Sequence, residues 1–300
     1  MTTMERLHLG EVEVSRIVYG MWRLADDPDR SQAHVRAKVE ACLEQGITTF
    51  DQADIYGDYE SEGVFGAMLR ESPGLRERME IVTKCDIMLA SGKFPDRRVK
   101  HYDTSPEHIR ASVDTSLKRM GIERIDVLLL HRPDPLMDHR ATAETLDALV
   151  AEGKLREVGV SNFRPHDWTL LASALSRPLV TNQIEISLMA LDPFTDGQLA
   201  FLQERGVPPM AWSPLAGGAL LSGPDGGALR TAMARVARDR GVDLAAVAVA
   251  FLLRHPARIL PVMGTNNADR IASFKDALAV QLDRETWFEL YAAALGHEVP

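Results

Sequence analysis

The fold is decided by a short stretch, GITTFDQADIYG at residues 46–57, in which an apolar strand runs directly into polar residues. Gly46 follows a helical run as a helix C-cap does, and the β-branched ITTFD at 47–51 is typical of a buried strand. The strand ends on Asp51, and Tyr56 follows in the next loop. A strand that ends in a polar loop before a helix is the repeating unit of a parallel α/β fold.

The same unit recurs along the whole chain. Strands are predicted at 17–20, 47–51, 80–84, 126–131, 155–160, 180–184, 208–212 and 259–262. Helical patterns lie between and after them, at 32–45, 60–70, 106–120, 141–151, 166–175, 194–205, 229–253 and 268–277. A hairpin, RLHLGEVEVSR, precedes the first strand with Gly10 at its turn, and a tail, RETWFELYAAALGHEVP, follows the last unit at 284–300.

Eight strand–helix units without a polar linker predict an α/β fold, a single (β/α)8 TIM barrel with an N-terminal β-hairpin and a C-terminal tail. We expect one domain over 1–300, because barrels of this kind run at this length. The competing architecture is an open doubly wound sheet, which usually has a glycine-rich phosphate turn after its first strand. Here that strand runs into Gly20-Met21-Trp22-Arg23, which lacks the fingerprint.

Composition narrows the class of partner. The net charge of −9 and the isoelectric point near 5.5 argue against nucleic acid or an anionic membrane. The opening MTTMERLHLG has no apolar signal region and no apolar run is long enough to span a membrane, so we expect a cytoplasmic protein. Cys42 and Cys85 then read as free thiols, and because neither has metal-ligand spacing around it, no metal site is predicted.

Four polar residues lie at or just past the ends of three consecutive strands: Asp51, Tyr56, Lys84 and His131. Strand ends of a barrel meet at one mouth, so we expect the four side chains to converge. Each has an ordinary alternative, namely a helix cap for Asp51, rim packing for Tyr56 and a core histidine for His131. Lys84 is less ordinary, because a buried ammonium needs a partner. A phenol beside an ammonium paired with a carboxylate is a proton donor, which points to reduction of a carbonyl group.

Seven stretches resemble the aldo-keto reductase superfamily in sequence, spacing and order over nearly the full length. They are GITTFDQADIYG, VTK at 82–84, LLLH at 128–131, GVSNF at 159–163, NQIEIS at 182–187, AWSPLAGG at 211–218 and PVMGTNNADRI at 261–271. The resemblance implies a (β/α)8 barrel that binds NADP(H) in an extended pose without a Rossmann motif. It also implies a catalytic tetrad of Asp51, Tyr56, Lys84 and His131.

In the implied mechanism Tyr56 gives a proton to the developing oxyanion, and Lys84 lowers the pKa of that phenol by favouring phenolate. Asp51 holds Lys84 charged and in place, and His131 orients the carbonyl. The partner is then a small-molecule carbonyl substrate, and the protein is expected to be a monomer or a weak homo-oligomer. Pocket walls are expected from Trp22, with a core position as its alternative, from the loop 85–105 and from the tail.

The resemblance further implies a set of cofactor-binding residues: Gly20, Met21, Asp51, Ser161, Asn162, Gln183, Trp212, Ser213, Pro214, Leu215, Gly217, Gly264, Thr265, Asn266 and Arg270. Ser161, Asn162 and Gln183 resemble the trio that binds the nicotinamide carboxamide. Trp212 stands where most members stack a Tyr on the ring, and the turn from Ser213 to Gly217 would line the pyrophosphate.

Recognition of the 2′-phosphate departs from the common pattern of the family. Gly264 stands where many members have a Lys, and Ser273-Phe274 where some have a Glu-Asn pair. The 2′-phosphate would then depend on Arg270, Thr265 and Asn266, with NADPH preferred over NADH. Two other functions stay open: a cofactor-binding sensor or regulatory subunit with slow turnover, and a non-redox barrel enzyme such as a phosphosugar isomerase.

Overall fold

The computed structural model describes residues 4–222 and 227–300. Its strands in chain order are β1 Arg6–Leu9, β2 Val12–Ser15, β3 Val18–Gly20, β4 Thr49–Asp51, β5 Glu80–Cys85, β6 Ile87–Met88, β7 His101–Tyr102, β8 Ile125–Leu130, β9 Leu155–Ser161, β10 Asn182–Glu185, β11 Met210–Trp212 and β12 Leu260–Met263. Eight of them close into a parallel barrel in the order β3-β4-β5-β8-β9-β10-β11-β12, and β12 pairs with β3. The predicted (β/α)8 barrel is confirmed, and the open sheet is excluded.

The helices in chain order are α1 Gln32–Leu43, α2 Tyr56–Tyr59, α3 Ser61–Glu71, α4 Pro106–Met120, α5 His139–Ala151, α6 Pro165–Ala172, α7 Gln198–Glu204, α8 Ala219–Ser222, α9 Gly227–Arg240, α10 Leu244–Leu253, α11 Ala268–Ala272 and α12 Arg284–Leu295. Short 3-10 segments occur at Leu24–Asp26, Pro73–Arg78, Asp192–Phe194, Ala216–Gly218 and Phe274–Ala279. No helix in the described ranges is long and apolar enough to cross a membrane.

The barrel interior is filled by aliphatic side chains, and the antiparallel hairpin β1–β2 packs into the same cluster. Its members include Leu7, Leu9, Val12 and Val14 from the hairpin and Val18, Val82, Val127, Leu129 and Leu260 from the barrel. The hairpin turn is tied to the barrel by Glu157, whose Oε1 accepts from the Glu11 amide at 2.7 Å. Because the hairpin fills one end with apolar side chains, the strand-end polar groups are left to form the opposite mouth.

Three predicted helices have different bounds in the structure. The stretch 229–253 is two helices, α9 and α10, because Gly241 takes a left-handed backbone (φ +67°) and Asp243 caps α10. The stretch 194–205 becomes helical only at Gln198, after Gly197 at φ +91°. The stretch 268–277 is α11 followed by a 3-10 segment.

The tail forms α12, and its expected role in the pocket is wrong. Trp287 stacks on Phe251 of α10, with ring centroids 4.5 Å apart and planes 7° apart. The indole Nε1 also donates to the Phe251 carbonyl at 3.0 Å. The aromatic residues of the tail therefore pack against the outer helices and do not contribute to the mouth of the barrel.

Helices α3 and α4 approach closely at Gly66, so we expect a larger residue at this position to destabilise the protein. A Cβ at this position would lie 2.1 Å from the Arg119 carbonyl oxygen and 2.6 Å from the Met120 Cα. Both are backbone atoms, so Gly66→Ala must push the helices apart, and we expect a loss of about 1–3 kcal/mol of unfolding free energy in urea. Gly63→Ala is the matched control in the same helix, because no atom lies within 4 Å of its Cβ. Equal unfolding midpoints for the two variants would contradict the proposed close approach.

Candidate active site

The floor of the barrel mouth is built around the ammonium of Lys84, whose side chain is 1% exposed. Its Nζ donates to both Asp51 oxygens at 2.8 Å, to the Gln52 carbonyl at 2.8 Å and to the Tyr56 hydroxyl oxygen at 2.9 Å. Strands β4 and β5 are paired neighbours, so the carboxylate and the ammonium meet across one strand boundary. The strand register of the barrel thus fixes the positions of Asp51 and Lys84 relative to each other.

The charge state of Lys84 follows from this environment. Burial lowers the pKa of Lys84, but Asp51 and Tyr56 raise it more, and the pKa lies above its ordinary value. The ammonium is therefore charged at neutral pH. Because it donates to the Tyr56 oxygen, the phenol uses that oxygen as an acceptor and keeps its own O–H for the cavity.

The pKa of Tyr56 differs from the expectation drawn from sequence. Burial raises the pKa of the phenol, and the nearby Lys84 cation lowers it by less, so the pKa lies above its ordinary value. Lys84 lowers this pKa, as the sequence predicts, but desolvation by burial outweighs the neighbouring charge, so the net shift is upward and not downward. Tyr56 is thus a protonated phenol at neutral pH.

His131 closes the site from the end of β8. Its amide donates to the Cys85 carbonyl at 2.9 Å, and its ring meets Tyr56 edge-on, with centroids 6.1 Å apart. Burial, followed by the charges of Lys84 and Arg132, holds the pKa of the imidazole well below its ordinary value. A neutral imidazole carries one N–H, so His131 and the protonated phenol can each donate one hydrogen bond to a ligand in the cavity.

The cavity above this floor has a volume of about 790 Å³. Most of the residues that the sequence placed in the site line it: Gly20, Trp22, Asp51, Tyr56, His131, Ser161, Asn162, Gln183, Trp212, Ser213, Pro214, Leu215, Gly217, Gly264, Thr265 and Arg270. Trp22 is 57% exposed, so it belongs to the rim and not to the core. Lys84 lies beneath the lining and reaches the cavity through Tyr56.

Besides Lys84, two predicted site residues lie outside the lining, Met21 and Asn266. The Met21 side chain is 1% exposed in the core, and its amide donates to the Asp51 carbonyl. The Asn266 amide group is already used, because Nδ2 donates to the Arg23 carbonyl at 2.7 Å and Oδ1 accepts from Lys38 at 3.2 Å. Both residues support the loops of the mouth, and contact with a cofactor is not supported for either.

The residues expected to bind the carboxamide are cross-linked by hydrogen bonds. Ser161 Oγ donates to the Gln183 carbonyl at 2.7 Å and accepts from Asn162 Nδ2 at 2.8 Å. The Trp212 Nε1 donates to Asn162 Oδ1 at 3.0 Å, which fixes the indole plane at the cavity wall. Gln183 Nε2 donates to Asp51 Oδ1 at 2.8 Å and joins this wall to the floor.

The segment after β12 adds a cation to the cavity. Arg270 lines it, and in the described part of the chain its guanidinium has no hydrogen-bond or ion-pair partner. The Thr265 carbonyl is held by the Tyr19 hydroxyl at 2.9 Å. Gly20 pairs with Asp51 at the floor, and a Cβ on Gly20 would lie 2.8 Å from the Val262 side chain, so a larger residue would be crowded there. A cavity of about 790 Å³ whose lining combines the Trp212 ring with the Arg270 cation fits a dinucleotide that carries a phosphate.

Several lining residues were not singled out from the sequence: Arg23, Ile55, Ile87, Lys100, Arg132 and Leu244. Lys100 is one of the basic residues of the loop 85–105, and this loop does contribute to the wall as expected. Arg132 directly follows His131 at the end of a strand, a signal that the sequence already contained. Within the described ranges the side chains of Lys100 and Arg132 have no hydrogen-bond partner, so both cations are available to a ligand.

The chain belongs to the aldo/keto reductase family, whose model matches residues 16–294. This membership makes it an oxidoreductase of a family that acts on small carbonyl compounds. It is 59% identical to a protein of Agrobacterium fabrum named 6-dehydroglucose reductase, over 99% of this chain and 100% of that protein. It is 45% identical to an uncharacterized oxidoreductase of Bacillus subtilis, over 99% and 100% of the two chains. A solved aldo/keto reductase from Klebsiella pneumoniae, in complex with NADP and acetate, aligns with a TM-score of 0.78 at 25% identity, covering 96% of this chain and 94% of that one.

The environment of His131 predicts how its ring titrates. Because burial and two cations depress its pKa, we expect the imidazole to stay neutral between pH 8 and about pH 5.5, where an ordinary histidine takes up a proton. Ring nitrogen NMR spectra across this range measure the protonation state, with His131→Gln used to assign the resonance and added imidazole as the reference. A His131 signal that titrates together with the reference would contradict the depressed pKa.

Proposed function

We propose that this protein is an NADPH-dependent reductase that converts an aldehyde or ketone to an alcohol, with Tyr56 as the proton donor. The observation that carries the proposal is the hydrogen bond from Lys84 to the Tyr56 oxygen, which turns the phenol proton toward the cavity. His131 lies beside it as a second donor. Two donors aimed at one point suit a carbonyl oxygen that gains negative charge during reduction.

The cofactor we propose is NADPH, which supplies the hydride for the carbonyl carbon when bound. The Trp212 face, held by Asn162, would stack on the nicotinamide, and the turn from Ser213 to Gly217 would line the pyrophosphate. Arg270 would bind the 2′-phosphate as a charge-assisted pair. The Klebsiella pneumoniae relative in complex with NADP supports this choice.

The proton step is carried by this chain's own groups. Tyr56 is protonated at neutral pH and gives its proton to the alkoxide oxygen, which leaves a phenolate. The Lys84 ammonium, already in contact with that oxygen, stabilises the negative charge. Asp51 keeps Lys84 charged and immobile through two hydrogen bonds. His131 fixes the direction of the carbonyl, which makes the approach geometry reproducible.

The substrate we propose is a sugar aldehyde, for which 6-dehydroglucose is the first candidate. The similarity of 59% over essentially the whole chain to a protein of that name supports it. The cavity also suits hydroxyl groups, because Lys100 and Arg132 offer unpaired donors near His131 and Trp22 offers an exposed ring face. Sugars bind through polar donors combined with an apolar surface, so this mixture is the expected one.

The proposed reaction is tested by following NADPH oxidation with 6-dehydroglucose, butanal and glucose as substrates. We expect turnover with both aldehydes, a higher kcat/KM for the sugar aldehyde, and none with glucose at matched concentration. A protein that binds NADPH tightly but turns over neither aldehyde would instead indicate a sensor. A protein that does not bind NADPH at all would remove the reductase proposal.

Replacing Tyr56 by Phe isolates the proton donor. Tyr56→Phe should lower kcat by about 10²–10⁴-fold, because general acid catalysis is lost, and leave the Kd of NADPH nearly unchanged. Stopped-flow turnover and fluorescence titration measure the two quantities on the same preparation. The four tryptophans report on cofactor binding, so an intact binding curve shows that the variant is folded. Turnover at the wild-type rate would rule Tyr56 out as the acid.

Replacing Arg270 by Ala isolates the 2′-phosphate contact. Loss of a charge-assisted hydrogen bond of about 1.5–3 kcal/mol should raise the Kd of NADPH by roughly ten- to a hundredfold and leave that of NADH almost unchanged. Lys275→Ala is the matched control, because it removes a nearby exposed cation that is absent from the lining. Equal losses for the two cofactors would mean that Arg270 acts through the fold.

A further inference from the structure

Asp86 has a backbone conformation that residues other than glycine rarely adopt. It is the first residue after β5, two positions beyond Lys84, and its φ is +98°. Glycine takes this region at no steric cost, whereas an L-residue with a Cβ is strained there. Asp86 is also 0% exposed, and one of its carboxyl oxygens, Oδ1, has no hydrogen-bond partner among the described residues. The backbone strain and the buried Oδ1 both disfavour the folded state, so we infer that the Asp86 side chain makes an interaction that offsets this cost.

Asp86 connects three parts of the barrel mouth. Its carbonyl accepts from the Asp103 amide at 2.9 Å, which closes the base of the hairpin β6–β7. Its Oδ2 accepts from the Arg132 amide at 3.1 Å, at the end of β8. The preceding residue, Cys85, accepts from the His131 amide at 2.9 Å. The end of β5 is therefore the point to which the hairpin and the end of β8 are both attached.

The attached parts carry groups that face the cavity. The hairpin brings Ile87 to the lining, and Lys100, which precedes β7, lies beside it. The end of β8 brings His131 and Arg132. The left-handed backbone at Asp86 turns the chain out of the barrel into the hairpin, and the carboxyl group holds the end of β8 against the same turn. Glycine at this position would keep the turn but lose the hold on β8.

We propose that Asp86 is a positioning residue, whose carboxyl group fixes the His131–Arg132 peptide so that the substrate-facing donors of β8 and the hairpin meet one carbonyl group. The proposal rests on the proposed function. Burial raises the pKa of Asp86 well above its ordinary value, which favours the neutral carboxyl group beside His131. A neutral amide of the same shape is then a fair substitute.

The test compares Asp86→Gly with Asp86→Asn in the full chain. Asp86→Gly removes both the strain and the acceptor, whereas Asp86→Asn keeps an acceptor at the same place, in a residue type that tolerates left-handed backbone. We expect Asp86→Gly to have a Tm equal to or above that of the wild type and a kcat/KM for aldehydes lowered by roughly tenfold, through both kcat and KM. Asp86→Asn should stay within about threefold of the wild type in kcat/KM, and both variants should keep the wild-type Kd for NADPH.

Stability and activity therefore move apart in Asp86→Gly, which a purely structural role would not produce. Wild-type kcat/KM in Asp86→Gly, or an equal loss in Asp86→Asn, would overturn the proposal, as would a lowered Tm in Asp86→Gly. Hydrogen exchange at the Arg132 amide supplies a readout independent of turnover: it should be faster in Asp86→Gly and unchanged in Asp86→Asn. A wild-type protein without reductase activity would contradict the proposed function. Unchanged hydrogen exchange at the Arg132 amide in Asp86→Gly would instead contradict the proposal that the Asp86 carboxyl group holds the end of β8.

Discussion

The site depends on one buried cation, the Lys84 ammonium at the floor of the barrel mouth. An ammonium taken out of water is stable only when nearly every N–H is matched, and here Asp51, the Gln52 carbonyl and the Tyr56 oxygen match it. Asp51 in turn accepts from Gln183, so a network of hydrogen bonds crosses from β5 through β4 to β10. Satisfying this one charge fixes side chains from three strands, and the geometry of the proposed proton donor follows from it.

The sequence was sufficient for the barrel and for the convergence of Asp51, Tyr56, Lys84 and His131, because strand ends of a parallel barrel must meet at one mouth. It was not sufficient to predict that the Met21 side chain lies in the core or that the Asn266 amide group binds Arg23 and Lys38, because the chain neighbours of both residues line the cavity. The sequence also did not predict the bounds of α7, α9 and α10, since a helical pattern of apolar residues continues across Gly197, which precedes α7, and across Gly241, which follows the end of α9.

Backbone strain is concentrated on the functional side of the barrel. Among the described residues, the non-glycine positions with positive φ are Asp58, Tyr59, Asp86, Asn162, Ser213, Ala216 and Arg258. All except Arg258 lie in the segments that follow the C-terminal ends of barrel strands, with Asp58 and Tyr59 in the short helix α2 and Ala216 in a 3-10 segment. The closed end, filled by the apolar hairpin, carries the packing. The packing at the closed end thus offsets the cost of the strained backbone at the mouth. The segments of the mouth therefore take conformations that propensity alone does not predict.

The raised pKa of Tyr56 bears on when the Lys84 charge would act in the proposed proton transfer. Burial keeps the phenol protonated, so Lys84 does not prepare the donor by ionising it beforehand. In the proposed reaction, the Lys84 charge would become effective only after the proton has left, when the phenolate would lie in contact with an ammonium that is already in place. An interaction that strengthens as charge develops lowers the barrier without weakening the resting acid. In that proposal the buried pair of Asp51 and Lys84 stabilises the product of proton transfer, which would account for a costly buried charge beneath a neutral donor.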